Sequence, residues 1–348
     1  HHLPPPPLLR ALSRHPQRTT DPAAAALHVV GALPLASYVL GVLRNESAAH
    51  QRRMADVARA LRGLADFRHR RRPFLFLYGH WRLVHLGEML LDTLLSGKTI
   101  LATNDPTFGL WENRPNNPLA KQPRFSRLYE RGVTLPYVAH SFATSERPNA
   151  SSPHKEGFMF HGDFARRDYG VRKRMRALLT PATLEAPVEL SDSSFTHKDP
   201  SATAREFSQA YQRTGAAYKI SSLCMSPAGD TLTSRRVFDA LAAGCVPVIL
   251  RSRFLMKTRL WSFETGMPFP ASIAWDEVSL RLAPSMTNGT DDCIAGDRRW
   301  LQQWHRAPLL SRRQAGWDAF YTHMDYDNNP DGVAQALLVE LQQRVPAA

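Results

Sequence analysis

Residues 219–250 constrain the fold more than any other stretch, because they lay a short strand, a polar loop, a helix and a second strand end to end. Residues 220–226 predict the first strand, and Pro227-Ala228-Gly229-Asp230-Thr231 a turn built of strong breakers. Thr233 or Ser234 can cap a helix that runs to about Ala243, and Gly244 ends it. Residues 246–250 are then an apolar run suited to a buried parallel strand. The result is a βαβ unit. Its helix starts among hydroxyls, free backbone N–H groups and the guanidinium forks of Arg235 and Arg236, a combination that suits a diphosphate. Asp239, one turn further on, is placed to accept hydrogen bonds from ribose hydroxyls.

The segment from Gly229 to Ile249 resembles the signature of the exostosin-like glycosyltransferases. Weaker similarities follow in the family's order along most of the chain. They comprise Thr20-Asp21-Pro22 before a run of alanines, Leu77-Tyr78-Gly79-His80 leading to His85, and Val133-Thr134-Leu135-Pro136-Tyr137. Phe158-Met159-Phe160-His161-Gly162-Asp163-Phe164 with Arg172, then Met267-Pro268-Phe269 and Trp275, complete the series. The resemblance implies an α/β GT-B fold, two Rossmann-like domains whose parallel sheets face a central cleft. It implies a nucleotide-sugar donor held by the second domain at the carboxyl ends of the strands.

The site residues follow from that resemblance and from side-chain chemistry. Gly229 allows the close turn, Thr233, Ser234, Arg235 and Arg236 meet the diphosphate, and Asp239 meets the ribose. His161 and Arg166 belong to the donor-side loops; His161 stands where the family usually has a small residue. The family inverts, so one group must take a proton from the acceptor hydroxyl. His85, Asp105 and Asp163 are the candidates. No Asp-x-Asp motif follows a strand, and Asp291-Asp292 reads as part of a Gly/Asn-rich loop. The expectation is therefore no metal and no cofactor, with a UDP-sugar as co-substrate and cationic side chains offsetting the leaving group's charge.

A chain of 348 residues suits two domains. Residues 1–19, with Pro4–Pro7, read as an extended linker or tag remnant, 20–150 as the acceptor-side domain and 151–330 as the nucleotide-sugar domain. Residues 331–348 read as a helix returning to the first domain, as last helices do in GT-B proteins. Hydrophobic content of 43% and charged content of 22% are ordinary for a globular protein. No run approaches the ~20 apolar residues of a membrane span. Family resemblance nevertheless implies a type II membrane protein of the Golgi lumen with its anchor missing from this sequence. Sequons at Asn45, Asn149 and Asn288 favour the secretory route mildly. Cys224 and Cys245 read as buried thiols and Cys293 as a loop residue, so the chain is no disulfide scaffold.

The net charge of +13 comes largely from clusters at 68–72, 166–176 and 251–259. A field attracting an acidic donor or acidic glycan accounts for it, as does an Arg-rich composition with solvated faces. Nucleic acid is disfavoured, since no helix-turn-helix, zinc-ligand spacing or aromatic stacking platform is present in the sequence. The expected activity is an inverting, metal-independent transfer of a hexosyl or pentosyl group from a UDP-sugar to a glycan or glycoprotein acceptor of cell wall or matrix. The alternative is a non-catalytic partner subunit of the same family, with homo- or heterodimer formation open in both cases.

Overall fold

A computed structural model describes residues 6–80, 83–104, 131–144, 156–164, 171–179, 184–192, 204–227, 233–250, 266–282 and 291–344. The described residues divide into two units. The first comprises His1–Val138, Thr258–Ile273 and His323–Ala348, and the second Ala139–Lys257 and Ala274–Thr322. The chain leaves the first unit between Val138 and Ala139, ahead of the 150/151 division expected from sequence.

The first unit holds a parallel sheet of β1 (His28–Val30), β2 (Phe74–Tyr78), β3 (Thr99–Thr103) and β4 (Val133–Thr134), neighbours in that order. β2 and β3 are buried at every position, which is why the sequence shows them as unbroken apolar runs rather than alternating ones. Helix α1 (Pro6–Arg14) precedes them, and α2 (Pro34–Leu43), α3 (Ser47–Gly63), α4 (Ala65–Arg68) and α5 (Glu88–Ser96) are interleaved. On α3, His50, Met54, Ala58 and Leu61 are buried, steps of three and four that put them on one face. The linker expected over residues 1–19 is corrected within its described part. Pro6 and Pro7 occupy the first turn of α1, where a proline's missing N–H costs nothing, and Leu8, Ala11 and Leu12 are buried.

The second unit opens with α6 (Ser141–Thr144) and β5 (Phe158–His161), followed by α7 (Val171–Leu178), β6 (Val188–Ser191) and α8 (Ala204–Ile220). Then come β7 (Leu223–Pro227), α9 (Arg235–Ala242), β8 (Val246–Leu250), α10 (Trp275–Val278) and β9 (Leu280–Leu282). The helices α11 (Asp291–His305) and α12 (Leu310–His323) follow, and α13 (Pro330–Gln342) closes the chain as part of the first unit. The second unit's strands form one sheet, parallel throughout, in the order β6-β5-β7-β8-β9. The chain runs outward from β5 to β6 and then crosses back to β7. The sheet therefore has a switch point between β5 and β7, the place in an open α/β sheet whose carboxyl edge suits a ligand. The architecture is α/β with two Rossmann-like parallel sheets, as the GT-B reading requires.

Two sequence expectations fail in the second unit. Asp291 and Asp292 do not lie in a loop; they begin α11, which also contains Cys293. The turn-rich stretch before them hides a helix start, since Asp is as good a cap as it is a turn residue. Cys224 and Cys245 are not separate thiols but a disulfide, with Cα atoms 5.9 Å apart. Cys224 lies in β7 and Cys245 immediately before β8, and paired neighbouring strands bring such positions to bridging distance. The bridge closes a loop of 21 residues that contains α9. Cys245→Ser is expected to lower stability by about 3 kcal/mol on the loop-entropy scale. Thermal melts with and without reductant check this, since the variant's midpoint should be insensitive to reductant.

Candidate active site

The carboxyl end of β5 and the start of α9 hold most of the residues expected to bind a donor. Ser234 caps α9, its Oγ accepting from the backbone N–H of Arg236 at 3.4 Å, and Thr233 beside it is fully buried. The cap orients the first turn, so Arg235 and Arg236 leave the helix at its positive end. Arg236 reaches across to β5: Nε donates to the carbonyl of His161 at 3.1 Å and Nη1 to Ser234 Oγ at 3.2 Å. Its guanidinium carbon stands 5.3 Å from the centroid of the Phe160 ring. Gly162 makes this possible, because a Cβ there would come within 2.6 Å of Arg236 Nη2. Carbonyl, hydroxyl and ring hold the side chain in one orientation, with its entropy already spent before any ligand arrives.

Arg235 is held differently. Its Nη1 lies 2.9 Å from Nε2 of His140, whose Nδ1 lies 2.9 Å from Asp239 Oδ2. The backbone N–H of His140 donates to Asp239 Oδ1 at 2.8 Å. Asp239 is only 3% exposed, and both of its oxygens accept from His140. In this structure the carboxylate pairs with His140 and orients that residue. Tyr218 is buried nearby; desolvation, and then the Asp239 carboxylate, push its hydroxyl well above the usual phenol range, against a smaller opposing effect of Arg236. It stays a protonated donor.

His161 ends β5. Its Nδ1 pairs with Thr214 Oγ1 at 3.0 Å, and its Nε2 lies 3.4 Å from Glu189 Oε1. Burial lowers its pKa, against the pull of Glu189, so the ring is neutral at pH 7 and its carbonyl rather than its ring serves Arg236. Asp163 is half-buried, and its backbone carbonyl accepts from Arg172 Nη1 at 2.9 Å. Arg172 is fully buried rather than part of a solvated basic face, with its guanidinium carbon 5.8 Å from the Phe160 centroid. Phe160 thus carries two guanidinium groups, a platform that the sequence shows only as one more aromatic in a strand. Gly229, Arg166 and Asp105 lie outside the described residues.

In the first unit, His85 lies in a short 3₁₀ turn (Leu83–Leu86) beyond the carboxyl end of β2. It is half-buried, its ring stacked on Tyr38 at 3.8 Å and facing His80 at 5.3 Å. Its backbone carbonyl accepts from His50 Nε2 at 2.6 Å, so the turn is tied to α3. Sequence reasoning missed His140 altogether. It stands 99 positions from its carboxylate partner, and no spacing rule connects residues that meet only through β4, α6 and α9.

Residues 122–287 match the Exostosin GT47 domain. A 44-residue stretch is 41% identical to the probable xyloglucan galactosyltransferase GT15 of Arabidopsis thaliana, covering 13% of this chain and 9% of that protein. Among solved structures, the crystal structure of a GtfA/B complex aligns with 84% of this chain and 60% of its own, at a TM-score of 0.40 and 10% identity.

Proposed function

We propose that the chain moves a sugar from a UDP-sugar to a glycan or glycoprotein acceptor, with inversion and without a metal; the match of residues 122–287 to the Exostosin GT47 domain supports this reading. The observation that carries this reading is the placement of Arg235 and Arg236 on the first turn of α9, at the switch point of the second unit's sheet. As the sugar–phosphate bond breaks, the leaving diphosphate gains negative charge. Guanidinium groups already fixed by a carbonyl, a hydroxyl and an imidazole meet that charge without reorganising, which is the electrostatic work a metal would otherwise do.

Inversion needs a base on the face opposite the leaving group. In this reading His85 takes the proton from the acceptor hydroxyl, its ring kept in register by the Tyr38 stack. His85→Ala is expected to lower kcat about 10²-fold with UDP affinity unchanged, measured by product release and by titration with UDP. The test of the whole reading is calorimetric titration with UDP in EDTA, followed by incubation with UDP-sugars and oligosaccharide acceptors and NMR of the anomeric product. Binding in EDTA and a product of inverted configuration support it. No affinity for UDP with or without a divalent cation overturns it.

The setting we propose is the Golgi lumen, as a type II protein. A buried disulfide is formed and kept in oxidising compartments. No helix among the described residues is long and apolar enough to cross a membrane. Asn45 is exposed in the turn between α2 and α3, with the left-handed φ of 55° that asparagine tolerates. Expressed through a secretory pathway, the protein is expected to carry a glycan there, read as a mass shift that peptide-N-glycosidase removes and Asn45→Gln abolishes.

A further inference from the structure

We propose that His140 is a positioning residue for donor binding, holding Arg235 toward the diphosphate and doing so only as a neutral imidazole. The proposal rests on the nucleotide-sugar reading above. Asp239 presents acceptors alone, so the hydrogen between it and His140 Nδ1 belongs to the ring. Nε2 then bears a lone pair, and Arg235, which can only donate, fills it at 2.9 Å. The tautomer is thus set by the partners on either side.

The ring is fixed in its plane as well as at its edge. Phe142 of α6 stacks on it at 4.9 Å and 11°, and Tyr211 of α8 lies at 5.3 Å. Among the described residues, the titratable and charged groups facing it are Asp239 and Arg235 from α9 and Tyr211 from α8. Protonation of Nε2 would set an N–H against an N–H and a second cation against the guanidinium. Arg235 then loses its anchor, and donor affinity falls when the ring takes up a second proton. His140→Gln separates this role from a merely structural one. Its amide can donate to Asp239 and accept from Arg235, and it does not titrate.

The experiment is calorimetric titration with UDP in EDTA at pH about 8 and about 5.5 of the wild type, His140→Gln and His140→Ala, the range across which a histidine changes charge. At the higher pH, His140→Gln is expected to bind within about threefold of wild type and His140→Ala at least about tenfold more weakly. Between the two pH values the wild type should lose about tenfold more affinity than His140→Gln, which corrects for titration of the nucleotide itself. Wild-type affinity in His140→Ala would overturn the proposal, as would equal losses in Gln and Ala variants that melt like wild type. Identical pH profiles for the wild type and His140→Gln would overturn it too. Nitrogen-15 NMR of labelled histidine tests the pairing without any nucleotide. A hydrogen on Nδ1 supports it; a hydrogen on Nε2 overturns it. Intact NMR signatures with no UDP binding by any form would instead overturn the nucleotide-sugar reading.

Discussion

Gly244→Ala is expected to destabilise the second unit by about 4 kcal/mol, a large effect for a single methyl group. Gly244 has a φ of 70° and forms the C-terminal turn of α9. Its own N–H bonds to the carbonyl of Leu241 at 3.0 Å and that of Cys245 to Ala240 at 2.8 Å, the paired bonds of a Schellman motif. A side chain in that conformation costs about 1–2 kcal/mol by itself. The new Cβ would also fall within 2.2 Å of two carbons of the Trp317 indole. Trp317 is 3% exposed, and Arg313, which bonds the carbonyl of Gly244 at 3.1 Å, lies over its ring. The indole has no room to withdraw, and overpacking of this kind adds about 1–3 kcal/mol. Chemical denaturation should show the midpoint shift with an unchanged slope. A loss below about 1 kcal/mol would mean that the α9–α12 contact is softer than its geometry.

The second large effect is on function. On the proposed function, Arg236→Ala is expected to reduce kcat/KM on the order of 10³-fold, mostly in kcat, because the charge assigned to it there develops in the transition state. Arg236→Lys should recover little of this. An ammonium carries the charge but cannot bond the His161 carbonyl and Ser234 Oγ together while facing Gly162. Folding should change far less than activity, since Ser234 still caps α9 without the guanidinium. Single-turnover rates and UDP affinity, measured side by side, separate the two effects; a loss confined to KM would assign Arg236 to ground-state binding.

The two arginines show where sequence reasoning reaches and where it stops. Ser234 as cap, Arg235 and Arg236 at the helix start and Gly244 at its end were all legible, because caps and breakers act within a few residues. Strands β2 and β8 were legible to the residue, since complete burial leaves an unbroken apolar run. Helix α1 was not, because four consecutive prolines read as extended chain until Leu8, Ala11 and Leu12 find α13 to pack against. Neither was the Cys224–Cys245 bridge. A count of three cysteines says nothing about two that sit on adjacent strands.

Asp239 marks the boundary most clearly. Its place one turn into α9 was visible, and the side chain's chemistry suited a ribose. Its pairing with His140 was invisible, since the partner arrives from 99 residues away. By itself the sequence determined the parallel α/β class, the βαβ unit and the basic helix start, because hydrophobic period, capping and charge are local properties of the chain. Tertiary structure alone decided that the strand order reverses between β5 and β7, that Phe160 sits under two guanidinium groups, and that an imidazole stands between Asp239 and Arg235. Those are contacts between side chains far apart in the chain, and only packing brings them within reach.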